Sequence, residues 1–307
     1  MRILITGATG MVGRNLSDTC PTQHDLLKPT SKELNLLSKE QVASYLKARR
    51  PDMIIHCAGR VGGIQENINH PVEFLRENTL MADHLINAAK ELRIKKMINL
   101  GSSCMYPREA VNPLKEESLL SGPFEPTNEG YAIAKSYAYK LCDFISNTDE
   151  ELSYKTIVPC NLYGKWDKFD PIKSHLIPAI VLKVLESKRT GNDVVIWGTG
   201  SVRREFMYAT DFAGVVWQLV DKFDQMPSVM NVGIGYDHSI KEYYEKVAEV
   251  LGYEAEFQYD TTKPEGMRQK LVDISIMNEL GVKSTYDLET GIRETYQYYQ
   301  ELLANEN

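Results

Sequence analysis

The amino-terminal segment constrains the fold most. Residues 2–6 form a β-branched-rich run, and glycines follow at once in Ile3-Leu4-Ile5-Thr6-Gly7-Ala8-Thr9-Gly10-Met11-Val12-Gly13. The segment reads as a strand, a glycine turn and a helix over residues 11–19. Glycine tolerates the tight turn and lets main chain approach a pyrophosphate. The helix start offers free N–H groups and its positive dipole end to the phosphates. A glycine turn can also do no more than seat a strand against a helix. Placement after a strand and at the mouth of a helix favours dinucleotide binding. Gly7, Thr9, Gly10, Met11, Val12 and Gly13 are the expected cofactor contacts of this loop.

Short apolar runs then alternate with helical stretches. Leu26-Leu27, residues 53–58, 96–100 and 156–159 read as strands. Residues 38–49, ended by Pro51, and residues 71–93 and 128–145 read as helices. This alternation predicts right-handed βαβ units and an α/β, Rossmann-like doubly wound parallel sheet. After Asn161 the pattern changes. Residues 162–175 read as a loop and 176–188 as a helix. Residues 194–197 and 203–208 read as short strands around Gly198-Thr199-Gly200, and helices return near 239–251 and 288–304. Two domains are expected: 1–161 with 206–233 for the dinucleotide, and 162–205 with 234–307 as a smaller α/β substrate-binding unit.

Composition narrows the classes. A chain of 307 residues with 43% hydrophobic and 25% charged residues is ordinary globular protein. No apolar run reaches bilayer length, and the amino terminus lacks the apolar core of a signal peptide. A net charge of −7 argues against a nucleic-acid partner. The five cysteines, Cys20, Cys57, Cys104, Cys142 and Cys160, form no C-x-x-C pair. Neither they nor the six scattered histidines suggest a metal, and a reducing cytoplasm is the expected compartment.

The end of the second strand distinguishes NAD from NADP. An acidic residue there would bind the ribose 2′-OH. Instead Lys28-Pro29-Thr30-Ser31-Lys32 precedes the first carboxylate, Glu33. Hydroxyls and lysines suit a 2′-phosphate, so NADP(H) is expected, with Ser31 and Lys32 as contacts.

Tyr131 and Lys135 stand four apart, which puts phenol and ammonium on one helix face. The lysine charge is expected to lower the tyrosine pKa, readying it to give a proton to a carbonyl oxygen. Ser102, just past the strand 96–100, is placed to hydrogen-bond that oxygen. Alone, Y-x-x-x-K is usually a surface pair. Together the three match the Ser-Tyr-Lys triad of the extended short-chain dehydrogenase/reductases, which the glycine spacing also resembles.

Longer blocks sharpen the resemblance. Val61-Gly62-Gly63-Ile64, residues 100–107, residues 125–135, Asn161-Leu162-Tyr163-Gly164, residues 174–179, Trp197-Gly198-Thr199-Gly200 and Arg204-Glu205-Phe206 look like the GDP-L-fucose synthase family. The likeness runs from residue 1 to about 300. It implies NADPH-dependent C3/C5 epimerisation and C4 reduction of a GDP-linked 4-keto-6-deoxy sugar. It assigns Cys104 as base and His175 as acid, against bland readings as a small core residue and a helix cap. It further implies cofactor contacts at Ala58, Leu100, Lys135, Pro159, Asn161, Leu162 and His175. Substrate contacts are implied at Ser103, Asn161, Lys183, Trp197, Arg204 and Lys263. A homodimer through the two long helices is expected.

The chain also departs from the family. Gly130 precedes Tyr131 where a bulkier residue is expected, Arg203 doubles Arg204, and the 165–173 loop carries Trp166, Lys165, Lys168 and Lys173. Related GDP-heptose or colitose-type reductases, with or without epimerisation, therefore stay open. So does a non-catalytic NADP-sensing regulator, which would have no use for the triad. A 4-epimerase with permanently bound NAD fits less well, because the second strand lacks an early acidic residue.

Overall fold

The computed structural model describes residues 1–170, 174–263 and 266–306. In chain order the first half runs β1 (Arg2–Thr6), α1 (Met11–Asp18), β2 (Asp25–Leu27), α2 (Lys39–Arg49), β3 (Met53–His56), α3 (Ile64–Asn69), α4 (Pro71–Glu91), β4 (Lys96–Leu100), α5 (Glu129–Thr148) and β5 (Ser153–Pro159). The second half runs β6 (Asn161–Tyr163), α6 (Leu176–Thr190), β7 (Val194–Trp197), β8 (Arg203–Arg204), β9 (Phe206–Tyr208), α7 (Ala209–Asp221), β10 (Val229–Val232), β11 (His238–Ser239), α8 (Ile240–Val250), β12 (Phe257–Asp260), β13 (Gln269–Lys270), α9 (Ser275–Glu279) and α10 (Leu288–Glu306).

Six parallel strands form the main sheet in the order β10-β5-β4-β3-β1-β2. Alternate residues of each strand serve opposite faces, as the pleat requires. Leu4, Ile54, Met97 and Tyr154 meet Val42, Leu46, Leu85, Ile86 and Ala138 of α2, α4 and α5. Ile3, Ile5, Met53, Ile55, Ile98 and Ile157 meet Leu16, Phe212, Val215, Val216 and Leu219 of α1 and α7. A one-residue slip of any strand would exchange the faces, so burial on both sides holds the register.

A second core gathers Ile177, Ile180, Val181 and Val184 of α6, Tyr243, Tyr244 and Val247 of α8, Val194 and Ile196 of β7, and Ile292 of α10. The three- and four-residue spacing on α6 and α8 is what makes each present one apolar stripe. Val272, Met277 and Val282 instead join the core of the main sheet, although they lie in the stretch expected to serve the smaller unit.

Several local expectations change. The loop expected at 162–175 begins as a strand, because Asn161–Tyr163 finds a parallel partner in Phe206–Tyr208. Residues 203–208 are two strands, split at the fully buried Glu205. The helix expected at 71–93 is preceded by the separate α3 and starts on Pro71, which suits the first helical turn.

Candidate active site

The carboxyl ends of β1, β3 and β4 converge on the glycine loop, the place where open parallel sheets bind nucleotides. Gly7 has a φ of +68°, and a Cβ there would lie 2.8 Å from the Ala58 main chain. A Cβ on Gly13 would lie 2.3 Å from the Gly7 carbonyl oxygen. Gly10, the N-cap of α1, supplies no side-chain cap, and the first turn carries no acidic residue. The loop thus presents bare N–H groups beside exposed Thr9 and Gly10, with Met11 and Val12 half-buried. Those features fit a pyrophosphate. At the end of β2, Lys28, Thr30, Ser31 and Lys32 are exposed. Glu33 turns back on Thr30, accepting from its N–H at 2.8 Å and its hydroxyl at 2.9 Å. No carboxylate of residues 28–33 is thereby left to meet a ribose diol.

Ser102, Tyr131 and Lys135 come together as expected, with one reversal. Ser102 and Cys104 both neighbour the Tyr131 phenol, and burial, with Cys104 adding to it, pushes the phenol above its ordinary range. The lysine does not lower it: Lys135 Nζ donates to the Leu100 carbonyl at 2.8 Å and lies 5.8 Å from the Tyr131 ring centre. Burial outweighs the neighbouring charge, as desolvation disfavours a phenolate. The same burial brings Lys135 down to about 8. His56 and Cys57, beside Lys135, are held neutral by burial, the imidazole down to about 3 and the thiol up to about 12. Thr6 links to His56 Nδ1 at 2.7 Å and accepts from the Ala58 N–H at 3.3 Å, tying β1 to β3 under the loop.

Cys104 sits in the 3-10 turn Ser103–Met105, which Ser102 caps by accepting the Cys104 N–H at 3.3 Å. Its sulfur is half-buried and faces two donors, Asn128 Nδ2 at 3.1 Å and Lys270 Nζ at 3.8 Å. His175, just before α6, holds Nδ1 3.0 Å from Oδ1 and 3.3 Å from Oδ2 of Asp167. The Asp167 hydrogen bond raises the His175 pKa above its ordinary value against the opposing effect of burial. Asn128, Asp167 and Lys270 were not singled out from the sequence. Asn128 lies inside the 125–135 block; the other two carry no local signal.

Trp197 is 59% exposed rather than a buried strand residue, and the Lys183 and Lys263 ammonium groups each lie 5.4 Å from its ring centre. Lys183 donates to the Val195 carbonyl at 2.7 Å and to the Tyr244 hydroxyl at 3.2 Å. A Cβ on Gly266 would lie 3.5 Å from Arg204 Nη2, and Arg204 Nη1 donates to the Arg203 carbonyl at 2.7 Å. Arg203 is spent on Asp237, 2.7 Å away, and Glu242. Ser103 is buried beneath the turn, and Asn161 donates its amide N–H to the Glu205 carbonyl at 2.9 Å. Pro159 is buried and Leu162 half-buried. Trp166 packs against Arg14 and Tyr298, and Lys165 pairs with Asp18, so this stretch is bound to α1 and α10. Lys173 lies outside the described residues.

The sequence pattern of the NAD dependent epimerase/dehydratase family matches residues 3–233. The chain belongs to that family. Among relatives of this epimerase/dehydratase, GDP-L-colitose synthase of Yersinia pseudotuberculosis is 50% identical, covering 97% of this chain and 98% of the relative. GDP-L-fucose synthase of Azorhizobium caulinodans is 46% identical, covering 97% and 96%. The GDP-D-glycero-L-gluco-heptose synthase of Campylobacter jejuni, solved in the presence of NADPH, superposes with a TM-score of 0.87 at 29% identity, covering 98% of each chain. Among the described residues no helix is long and apolar enough to cross a membrane.

Proposed function

We propose that this epimerase/dehydratase is an NADPH-dependent reductase and epimerase of a GDP-linked 4-keto-6-deoxy sugar. The observation that carries the reading is the grouping of Ser102 and Tyr131 with Cys104, whose N–H Ser102 accepts and whose sulfur lies between two donors. The 6-deoxyhexose is preferred over a heptose because the relatives at 50% and 46% identity are named for colitose and fucose. The residue roles that follow belong to this proposal.

NADPH, when bound on the glycine loop, supplies hydride to C4. Tyr131, kept protonated by burial, gives its proton to the C4 oxygen. Ser102 orients that oxygen, and Lys135, anchored on Leu100, offers the nearby positive charge. Before reduction, the ketone acidifies the hydrogens on C3 and C5. Cys104 takes a proton from one face and His175 returns one from the other. The Asp167 carboxylate accepts the Nδ1 proton of His175 and leaves Nε2 for the substrate. Arg204, Lys183 and Lys263 bring positive charge for the diphosphate, and Trp197 offers a flat face to the nucleotide.

The active form is read as a homodimer in a reducing cytoplasm. Exposed Val72, Leu75, Ile133, Tyr137 and Phe144 on α4 and α5 support the first, and five free cysteines the second.

The test is turnover of GDP-4-keto-6-deoxymannose with NADPH, the product read by NMR, beside a mannose-derived heptose analogue. A 3,5-inverted, C4-reduced hexose is expected. Reduction of the heptose alone would overturn the hexose assignment, and no reduction of either would overturn the enzyme.

A further inference from the structure

The sulfur of Cys104 is approached by a cation from a distant part of the chain. Lys270 Nζ lies 3.8 Å from Sγ, although the two residues are 166 positions apart in sequence. The lysine is half-buried on β13, and its backbone is held from both sides. Asn112 accepts from the Leu271 N–H at 2.8 Å and donates to the Gln269 carbonyl at 3.3 Å. Glu205 donates its N–H to the Lys270 carbonyl at 3.2 Å and accepts from the Val272 N–H at 2.9 Å through its carboxylate. Leu271 and Asp273 exchange main-chain bonds with Leu114 at 2.7 and 2.9 Å. Such a frame is more than a surface lysine needs. From the other side, Asn128 Nδ2 donates to the same sulfur at 3.1 Å.

We propose that Lys270 is a positioning residue for the Cys104 base, holding the sulfur as a thiolate together with the Asn128 amide. The proposal rests on the epimerase reading above and adds the group that makes its base competent. A thiol cannot remove a proton from carbon; a thiolate can, and a neighbouring cation and N–H donor both favour that form. In the step itself the C–H bond beside the ketone breaks and an S–H bond forms. The C–H electron pair becomes the enolate double bond, and negative charge passes from sulfur to the ketone oxygen. Lys270 keeps its proton throughout and is neither acid nor base. In register with Arg204 on the neighbouring strand, it also joins the base to the strand proposed to hold the diphosphate.

The experiment uses the full chain with NADP⁺ present, comparing Lys270→Met, Lys270→Gln and Lys270→Arg with wild type. Two quantities are read at pH 7: the rate at which iodoacetamide alkylates Cys104, located by peptide mass spectrometry, and deuterium uptake at C3 and C5 of GDP-4-keto-6-deoxymannose without reductant. In the uncharged variants, alkylation of Cys104 and deuterium uptake are each expected to fall about five- to tenfold, the size of one lost charge at this distance. Lys270→Arg should stay within about twofold of wild type, since the charge is kept. Wild-type alkylation in both uncharged variants, with only KM for the GDP sugar raised, would overturn the proposal and leave the lysine to the diphosphate. Absence of exchange in wild type would overturn the epimerase reading alone, because the alkylation contrast still reports the Lys270–Cys104 pairing.

Discussion

Nδ1 of His175 stands 3.0 Å from the Asp167 carboxylate, and the Asp167 side chain is 3% exposed. This pairing fixes one ring nitrogen as a donor and so decides which nitrogen is left for substrate. Asp167 raises the His175 pKa. The imidazolium it stabilises therefore contributes stability that is full below about pH 6.5 and is lost as pH rises through the raised value. In its proposed role as acid, His175 would work on the same limb. Asp167→Asn should move the alkaline fall of deuterium exchange to lower pH and leave C4 reduction measurable. A pH–rate profile checks this; an unmoved alkaline limb would remove Asp167 from the mechanism.

Tyr131→Phe should lose reduction by roughly a hundred- to ten-thousandfold, the usual range for a lost proton donor. NADPH binding and deuterium exchange should persist, because the ring still packs edge-on against Phe74. Near-normal turnover would sink the triad assignment.

Cofactor preference follows from the exposed Ser31 and Lys32. Direct titration should give tighter binding of NADPH than of NADH. Lys32→Ala should weaken NADPH by about ten- to hundredfold, the range for a hydrogen bond to a charged group, and leave NADH unchanged. An equal loss for both cofactors would show that Lys32 does not meet the 2′-phosphate.

The proposed homodimer is testable on α4 and α5. Val72 is 67% and Phe144 60% exposed, unusual for large apolar side chains on adjoining helices. A twofold interface would bury each of them twice. Sedimentation at micromolar concentration should give a dimer, and Phe144→Glu should give a folded monomer. A monomeric wild type would refute the interface.

The glycine turn is a packing requirement as well as a binding one. Gly13→Ala would force a methyl to 2.3 Å from the Gly7 carbonyl. Stability should fall by about 1–3 kcal/mol, the range for overpacking, with cofactor affinity falling too. Thermal melts with and without NADPH separate the two losses, and an unchanged apo melting temperature would contradict the close contact.

Much of this molecule is local. The strand-turn-helix of residues 2–18 was legible because glycine spacing and β-branched runs act over a few residues. The helices expected near 128–145, 176–188, 239–251 and 288–304 are found as α5, α6, α8 and α10 within a few residues of those bounds. The short strand Asn161–Tyr163 was not, because a strand of that length exists only through its partner 206–208. Glu205 stood only within a family-like block and Arg203 only as a departure beside Arg204; in the fold Glu205 accepts from Ile234, Gly235 and Val272, and Arg203 pairs with Asp237. Neither destination has a sequence signal, since each lies some thirty residues or more away along the chain.

The sequence by itself determined the sheet class, the glycine loop, the absence of a carboxylate among residues 28–32, and the one-turn spacing of Tyr131 and Lys135. Each depends on periodicity or on the chemistry of adjacent residues. Only the tertiary structure decided which groups are neighbours and how burial acts on Tyr131 and Lys135. Tyr131 shows the difference: its neighbour in sequence predicted a lowered pKa, and burial raised it. Cys104 shows it again, for its two donors arrive from α5's entry and from β13. Desolvation and long-range contact are properties of the closed fold, and no local pattern carries them.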